Sequence, residues 1–240
     1  MFKAVLFDFR DTLVDVSKAR EAQTEFLFNY CAVRTKVKFS LDEFKHKSKQ
    51  AHAAVMARFG NNQYIHNWSL LINKHLLDSL DVKVEGKDFE NLMNDLDSVF
   101  IENVSLFPDS VTILDFLKSS GIKMGVVIDG TSKRENAVID KLDLRKFLRV
   151  IIISEEIGKN KFSLLPLQKA LEPLHCLPAE VIVVGDRIDK DISPANKLGC
   201  FSVRLIRGSG RYDAVQSNST NIDERPKKTI SKLNELAELV

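Results

Sequence analysis

The chain opens on an unbroken apolar run, Ala4-Val5-Leu6-Phe7, which predicts a short strand covered on both faces. From Lys18 to about Phe100 the spacing turns helical, with Phe26 and Tyr30, and Leu27 and Cys31, falling at i, i+4. Ser40-Leu41-Asp42-Glu43 has the form of a capping box, with Ser40 as N-cap and Glu43 at the third helical position. It predicts a helix that ends near Gly60, where Gly60-Asn61-Asn62 makes a turn. Further helices are expected over 67–80 and 88–100, divided near Gly86. After Leu106-Phe107-Pro108-Asp109, helices over 110–119, 133–142, 164–171 and 190–198 alternate with apolar runs at 124–128, 150–153, 181–184 and 201–205. Alternation of this kind implies crossover connections and a parallel sheet. The polar stretch from Gly208 to Asp223 reads as a loop, before a short strand at Thr229-Ile230 and a helix capped by Ser231.

The predicted architecture is therefore α/β: a Rossmann-like parallel sheet core from 1–15 and 106–240, with an all-helical domain over 16–105 inserted after the first strand. That insertion is expected to act as a lid. Composition fits a globular chain, at 44% hydrophobic and 28% charged residues. Thirty-five Lys plus Arg against 33 Asp plus Glu leave +2, too even for a nucleic-acid or membrane-surface partner. Cys31, Cys176 and Cys200 are odd in number and far apart, so neither a disulfide framework nor a zinc site is expected. With no signal-type start and no apolar run of membrane-spanning length, the expected location is the cytoplasm.

In a parallel sheet the residues just after each strand meet at one edge, so distant segments combine into one site. Here those segments are Asp8 to Thr12, Asp129-Gly130-Thr131-Ser132, Ser154 to Lys161, and Gly185-Asp186 through Asp191. Taken singly, Asp, Gly and Ser after a strand are ordinary turn residues. Taken together, they gather carboxylates at one edge. Asp8 and Asp186 suit a hard cation such as Mg²⁺, Lys161 can offset phosphate charge, and Asp8 can attack phosphorus to form an aspartyl-phosphate.

These residues in this order resemble the haloacid dehalogenase-like superfamily, in its subfamily with a four-helix cap inserted after the first motif. The resemblance rests on Leu6-Phe7-Asp8-Phe9-Arg10-Asp11-Thr12-Leu13, on Val184-Gly185-Asp186 through Asp191, and on Leu106-Phe107-Pro108, Ser154 to Lys161, and Ser193-Pro194-Ala195 through Gly199. It implies a Mg²⁺-dependent phosphatase of a small phosphate ester. Asp8 would be nucleophile and metal ligand, Asp186 a second ligand, Asp191 a ligand or a supporting carboxylate, and Lys161 the cation on the transferring phosphoryl group. The backbone carbonyl of Arg10 would complete the metal set, and Arg10, Thr12 and Thr131 would contact substrate.

Two positions depart from the family pattern. Arg10 stands where phosphatases of the family carry the aspartate that moves a proton, and a guanidinium stays protonated and cannot take that part. Ile128 stands where a phosphate-binding hydroxyl is usual, followed by Asp129. General acid–base help is worth ~10²–10⁴-fold, so the phosphatase expected here is slow. The sequence leaves two alternatives open, a catalytically impaired binding or regulatory relative, and a dehalogenase-like hydrolase acting at carbon.

Overall fold

The computed structural model describes residues 1–59, 68–208 and 221–240. The chain divides into two units, Met1–Asp15 with Ser105–Val240, and Val16–Val104. In the first, β1 (Ala4–Phe7) is buried along its whole length. It leads to β2 (Val14–Asp15), the last element before the helical unit.

The helical unit consists of α1 (Ser17–Ala32), α2 (Leu41–Phe59), α3 (Trp68–Ser79) and α4 (Gly86–Asn103). Leu27, Cys31, Phe44, Leu76, Leu77, Leu92 and Leu96 form its core. The capping box forms at the start of α2: the Ser40 N–H donates to Glu43 Oε2 at 2.7 Å, and the Glu43 N–H to Ser40 Oγ at 3.2 Å. The expected turn at Gly60-Asn61-Asn62 and the expected helix start at Asn67 lie outside the described residues, as does most of the loop expected from Gly208 to Asp223.

The chain returns through β3 (Ser105–Leu106), which pairs antiparallel with β2, Val14 against Leu106 and Asp15 against Ser105. This small ladder was not expected, because two-residue strands have no period to detect. It ties the exit to the helical unit against the return from it. After it come α5 (Pro108–Ser119), β4 (Lys123–Ile128), α6 (Ser132–Lys141), β5 (Val150–Ile153), α7 (Ser154–Ile157), α8 (Leu165–Leu171), β6 (Val181–Gly185), α9 (Ser193–Lys197), β7 (Phe201–Leu205) and β8 (Lys228–Ile230).

The main sheet has six parallel strands in the order β5-β4-β1-β6-β7-β8. From β1 the chain builds outward to β4 and β5, then crosses back to lay β6 on the other side of β1. The boundary between β1 and β6 is thus the switch point at which ligands bind in open α/β sheets. Phe7 pairs with Val184 in this boundary, so Asp8 and Asp186 emerge side by side at the carboxyl edge.

Two helix expectations need correction. In place of one helix over 190–198, a π-helical turn at Ile188–Ile192 precedes α9. The Ile192 N–H reaches the Arg187 carbonyl at 3.2 Å, the i→i+5 span of a π turn, and the Asp191 carboxylate accepts the Arg187 N–H at 3.0 Å. The C-terminal helix is a 3₁₀ segment, Leu233–Glu238. Glu235 Oε1 collects the Ser231 and Lys232 N–H groups at 2.9 Å, so Ser231 lies before the helix and does not cap it.

Gly125 in β4 is set by close packing. A Cβ there would lie 2.8 Å from Leu6 Cδ2 and 2.9 Å from the Val150 carbonyl oxygen, and that oxygen cannot give way because it belongs to the neighbouring strand. Gly125→Ala is expected to cost about 1–3 kcal/mol by overpacking, measured as a lowered urea midpoint at unchanged slope.

Candidate active site

The loop after β1 is shaped by its backbone. The Asp8 N–H donates to the Val184 carbonyl at 2.7 Å, which anchors the start of the loop on β6. Leu13 and Val14 both donate to the Phe9 carbonyl at 2.9 Å, and Asp11 takes a left-handed φ of 61° to close the turn. Phe9 is buried in the core beneath, and Asp8 and Arg10 flank it with partial exposure. Thr12 is fully buried, and its hydroxyl makes no hydrogen bond among the described residues.

A residue that the sequence reading missed fastens this loop. Arg207, just beyond β7, donates to the Thr12 carbonyl at 2.6 Å and pairs with both oxygens of Asp109 at 3.1 and 3.2 Å. Its guanidinium also lies 3.7 Å from the Phe107 ring centroid. The signal in hand was Leu106-Phe107-Pro108-Asp109, but its partner is almost a hundred residues away.

Asp8, Asp186 and Asp191 bring carboxylate oxygens within 4.8 Å of one another. Lys161 is buried between them, paired with Asp8 and, at 2.6 Å, with Asp191. Burial, then the charges of Asp8 and Asp191, push the Asp186 carboxyl up to about 8. Asp191 is raised to about 6, by burial that Lys161 partly offsets. Burial works against the charge on Lys161, yet Asp191, Asp8 and Asp129 hold its ammonium above the usual lysine range. One ammonium does not balance three carboxylates, and this adds to the burial that already disfavours the Asp186 charge. An all-oxygen, charge-rich donor set of this kind fits a hard divalent cation.

Ile128 is buried at the end of β4, so it offers no hydroxyl. Asp129 brings less unbalanced charge than its sequence position implies. Its Oδ1 accepts the backbone N–H of Lys161 at 2.9 Å and its Oδ2 pairs with Lys190 at 2.6 Å. Lys190 is a second cation that the sequence reading did not single out, and it stands 4.5 Å from the Phe162 ring centroid. Thr131 immediately precedes α6, where its carbonyl accepts the Glu135 N–H at 3.0 Å. The Ser132 hydroxyl is engaged with Glu156, and its N–H donates to Glu155 Oε2 at 2.6 Å.

Arg10 is held on a residue that the sequence reading missed altogether. Its Nη2 donates to Oε1 of Glu135, which also receives Arg134 Nε at 3.0 Å. Glu135 is fully buried in the first turn of α6. A Cβ on Gly130 would fall 2.7 Å from the Glu135 carboxyl carbon, so glycine there makes room for the carboxylate. A sequence signal did exist. Glu135, Val138 and Ile139 stand at i, i+3 and i+4, which puts a carboxylate on an otherwise apolar face.

Comparison with known proteins agrees with this architecture. The chain is 29% identical over 241 residues to glyceraldehyde 3-phosphate phosphatase of Methanocaldococcus jannaschii, covering 100% of this chain and 97% of that one. It is 30% identical over 144 residues to ribulose-1,5-bisphosphate 5-phosphatase of Halopiger xanaduensis, 60% of each chain. In structure it resembles a magnesium-bound HAD-hydrolase of Bacillus subtilis with a TM-score of 0.73 at 18% identity, covering 99% of this chain and 98% of that one. The family model for haloacid dehalogenase-like hydrolase matches residues 5–205, which take in all but the first residue of β1, β2 through β7 and every carboxylate of the site. The chain belongs to the haloacid dehalogenase-like hydrolases.

Proposed function

We propose that the chain is a Mg²⁺-dependent phosphatase of a small phosphorylated metabolite, working through a phosphoenzyme on Asp8. The observation that carries this is the close group of Asp8, Asp186 and Asp191 around the buried Lys161, which is short of positive charge. The names of the two relatives, both phosphatases of small phosphorylated sugars or aldehydes, support the substrate class. The magnesium in the Bacillus subtilis structure supports the metal.

Asp8, Asp186, Asp191 and the backbone carbonyl of Arg10 would hold the cation. When bound, Mg²⁺ supplies positive charge that lets Asp8 and a phosphate approach each other. A carboxylate oxygen of Asp8 attacks phosphorus as the ester P–O bond breaks, and Lys161 balances charge on the phosphoryl oxygens. Arg10 and Thr131 contact the substrate. With arginine at position 10, the departing alkoxide takes its proton from water. A second water then cleaves the acyl phosphate, releasing phosphate and restoring Asp8. The helical unit Val16–Val104 acts as the cap that selects the substrate. The protein works in the cytoplasm, a placement supported by its unpaired thiols, of which Cys31 and Cys200 are buried. No described helix is long and apolar enough to cross a membrane.

A second function, as a binding or regulatory relative without turnover, is favoured by Arg10 held on Glu135 and by the buried Ile128. Phosphate release from a panel of three- to five-carbon sugar phosphates, with Mg²⁺ and with EDTA, separates the two. Slow release that EDTA stops is expected. Esters that bind but are never cleaved would establish the second function and overturn the first.

A further inference from the structure

Arg10 stands two residues from Asp8, beside a group of carboxylates whose cation among the described residues is Lys161. Two extended residues span about 7 Å, within reach of an arginine side chain. A guanidinium is always charged, and its fork of donors matches a carboxylate. Charge alone would put Arg10 on Asp8 or Asp186. There it would occupy the lone pairs that a divalent cation needs and blunt the nucleophile. Yet Asp8 pairs with Lys161, and Arg10 Nη2 goes to Glu135.

We propose that Glu135 is a positioning residue that holds the Arg10 guanidinium off the metal-binding carboxylates, leaving Asp8 and Asp186 open to a divalent cation. The inference rests on the Mg²⁺ phosphatase proposed above. Glu135 is fully buried and its Oε2 has no hydrogen-bond partner among the described residues, an expensive placement for a carboxylate. The face it shares with Val138 and Ile139 would accept an apolar side chain, so packing does not account for it. Its Oε1, by contrast, is fixed from two sides by Arg10 and Arg134, and Gly130 makes room for its carboxyl group. The tether gives a chain with arginine at position 10 a way to keep a working metal site.

The test is a calorimetric titration of Mg²⁺ into wild type, Glu135→Gln, Arg10→Ala and the double variant, with folding checked by circular dichroism. With the Glu135 charge removed, Arg10 is expected to be drawn toward the carboxylates, and the Mg²⁺ dissociation constant of Glu135→Gln is expected to rise about tenfold or more. Arg10→Ala keeps the backbone carbonyl and loses only the guanidinium, so it binds Mg²⁺ at least as tightly as wild type, and adding it to Glu135→Gln restores the wild-type constant. A purely structural role for Glu135 would not be rescued in this way. Wild-type affinity in folded Glu135→Gln overturns the inference, as does a double variant as weak as the single. Should Glu135→Gln not fold, Glu135→Asp, which draws the charge back by one methylene, is judged by the same criteria. A metal-free crystal structure of the variant gives a second readout, in which Arg10 is expected on Asp8 or Asp186. If wild type takes up no Mg²⁺, the phosphatase proposal fails, and the place of Arg10 in that crystal decides this inference separately.

Discussion

Asp8→Asn is expected to lower kcat by about 10⁴–10⁶-fold on any ester the wild type cleaves, the scale seen when a covalent nucleophile is removed. The amide keeps the size of the carboxylate and an oxygen that can accept from Lys161, but it cannot form the acyl phosphate. Folding should survive, because the substitution removes one of three crowded charges. The Asp8 charge is among the causes that hold the Asp186 carboxyl up near 8, so that carboxyl should ionise more readily in the variant. Steady-state phosphate release measures the loss, and acid-quenched protein incubated with labelled ester shows whether label stays on the chain. Labelled wild type and unlabelled Asp8→Asn are expected. An Asp8→Asn protein within tenfold of wild-type kcat would move the nucleophile elsewhere.

How much of this site the sequence revealed depends on whether each contact is local. Ala4-Val5-Leu6-Phe7 announced β1, and the alternation after Leu106 announced the parallel sheet, because both are patterns of near neighbours. Strand ends in a parallel sheet share an edge, so Asp8, Asp129, Lys161, Asp186 and Asp191 could be assembled before any coordinates. The partners that tune them could not. Arg207 reaches Thr12 across 195 positions and Arg10 reaches Glu135 across 125, and no periodicity links such pairs. Asp129 shows the cost of reading position without partners. In sequence it is a negative charge beside a phosphate site, whereas in the fold it braces the Lys161 backbone and is matched by Lys190. The π-helical turn escaped too, since it differs from an α turn only in the Ile192 N–H reaching the Arg187 carbonyl, a one-residue shift that hydrophobic periodicity does not register.

Arg10→Asp is expected to raise kcat by about 10²–10⁴-fold, because it supplies the proton-transfer group that arginine cannot. The gain comes with a loss of stability. Glu135 would keep Arg134 but lose Arg10, and a second carboxylate would replace the lost cation. With one arginine left, the loss should fall short of the ~3–5 kcal/mol that follows when a buried charge loses its only partner. Glu135→Gln added to Arg10→Asp removes the stranded charge. It should recover the urea midpoint while keeping the gain in kcat, because with no arginine at position 10 there is nothing for Glu135 to hold away. The two substitutions therefore couple in both properties, as neighbours in one ion-pair network do. Initial rates at neutral pH together with urea unfolding of the four proteins measure the cycle. A folded Arg10→Asp/Glu135→Gln protein no faster than wild type would mean that position 10 is not what limits turnover. The missing hydroxyl at Ile128 would then be the next candidate, since that buried side chain leaves the phosphoryl group one donor short at the end of β4.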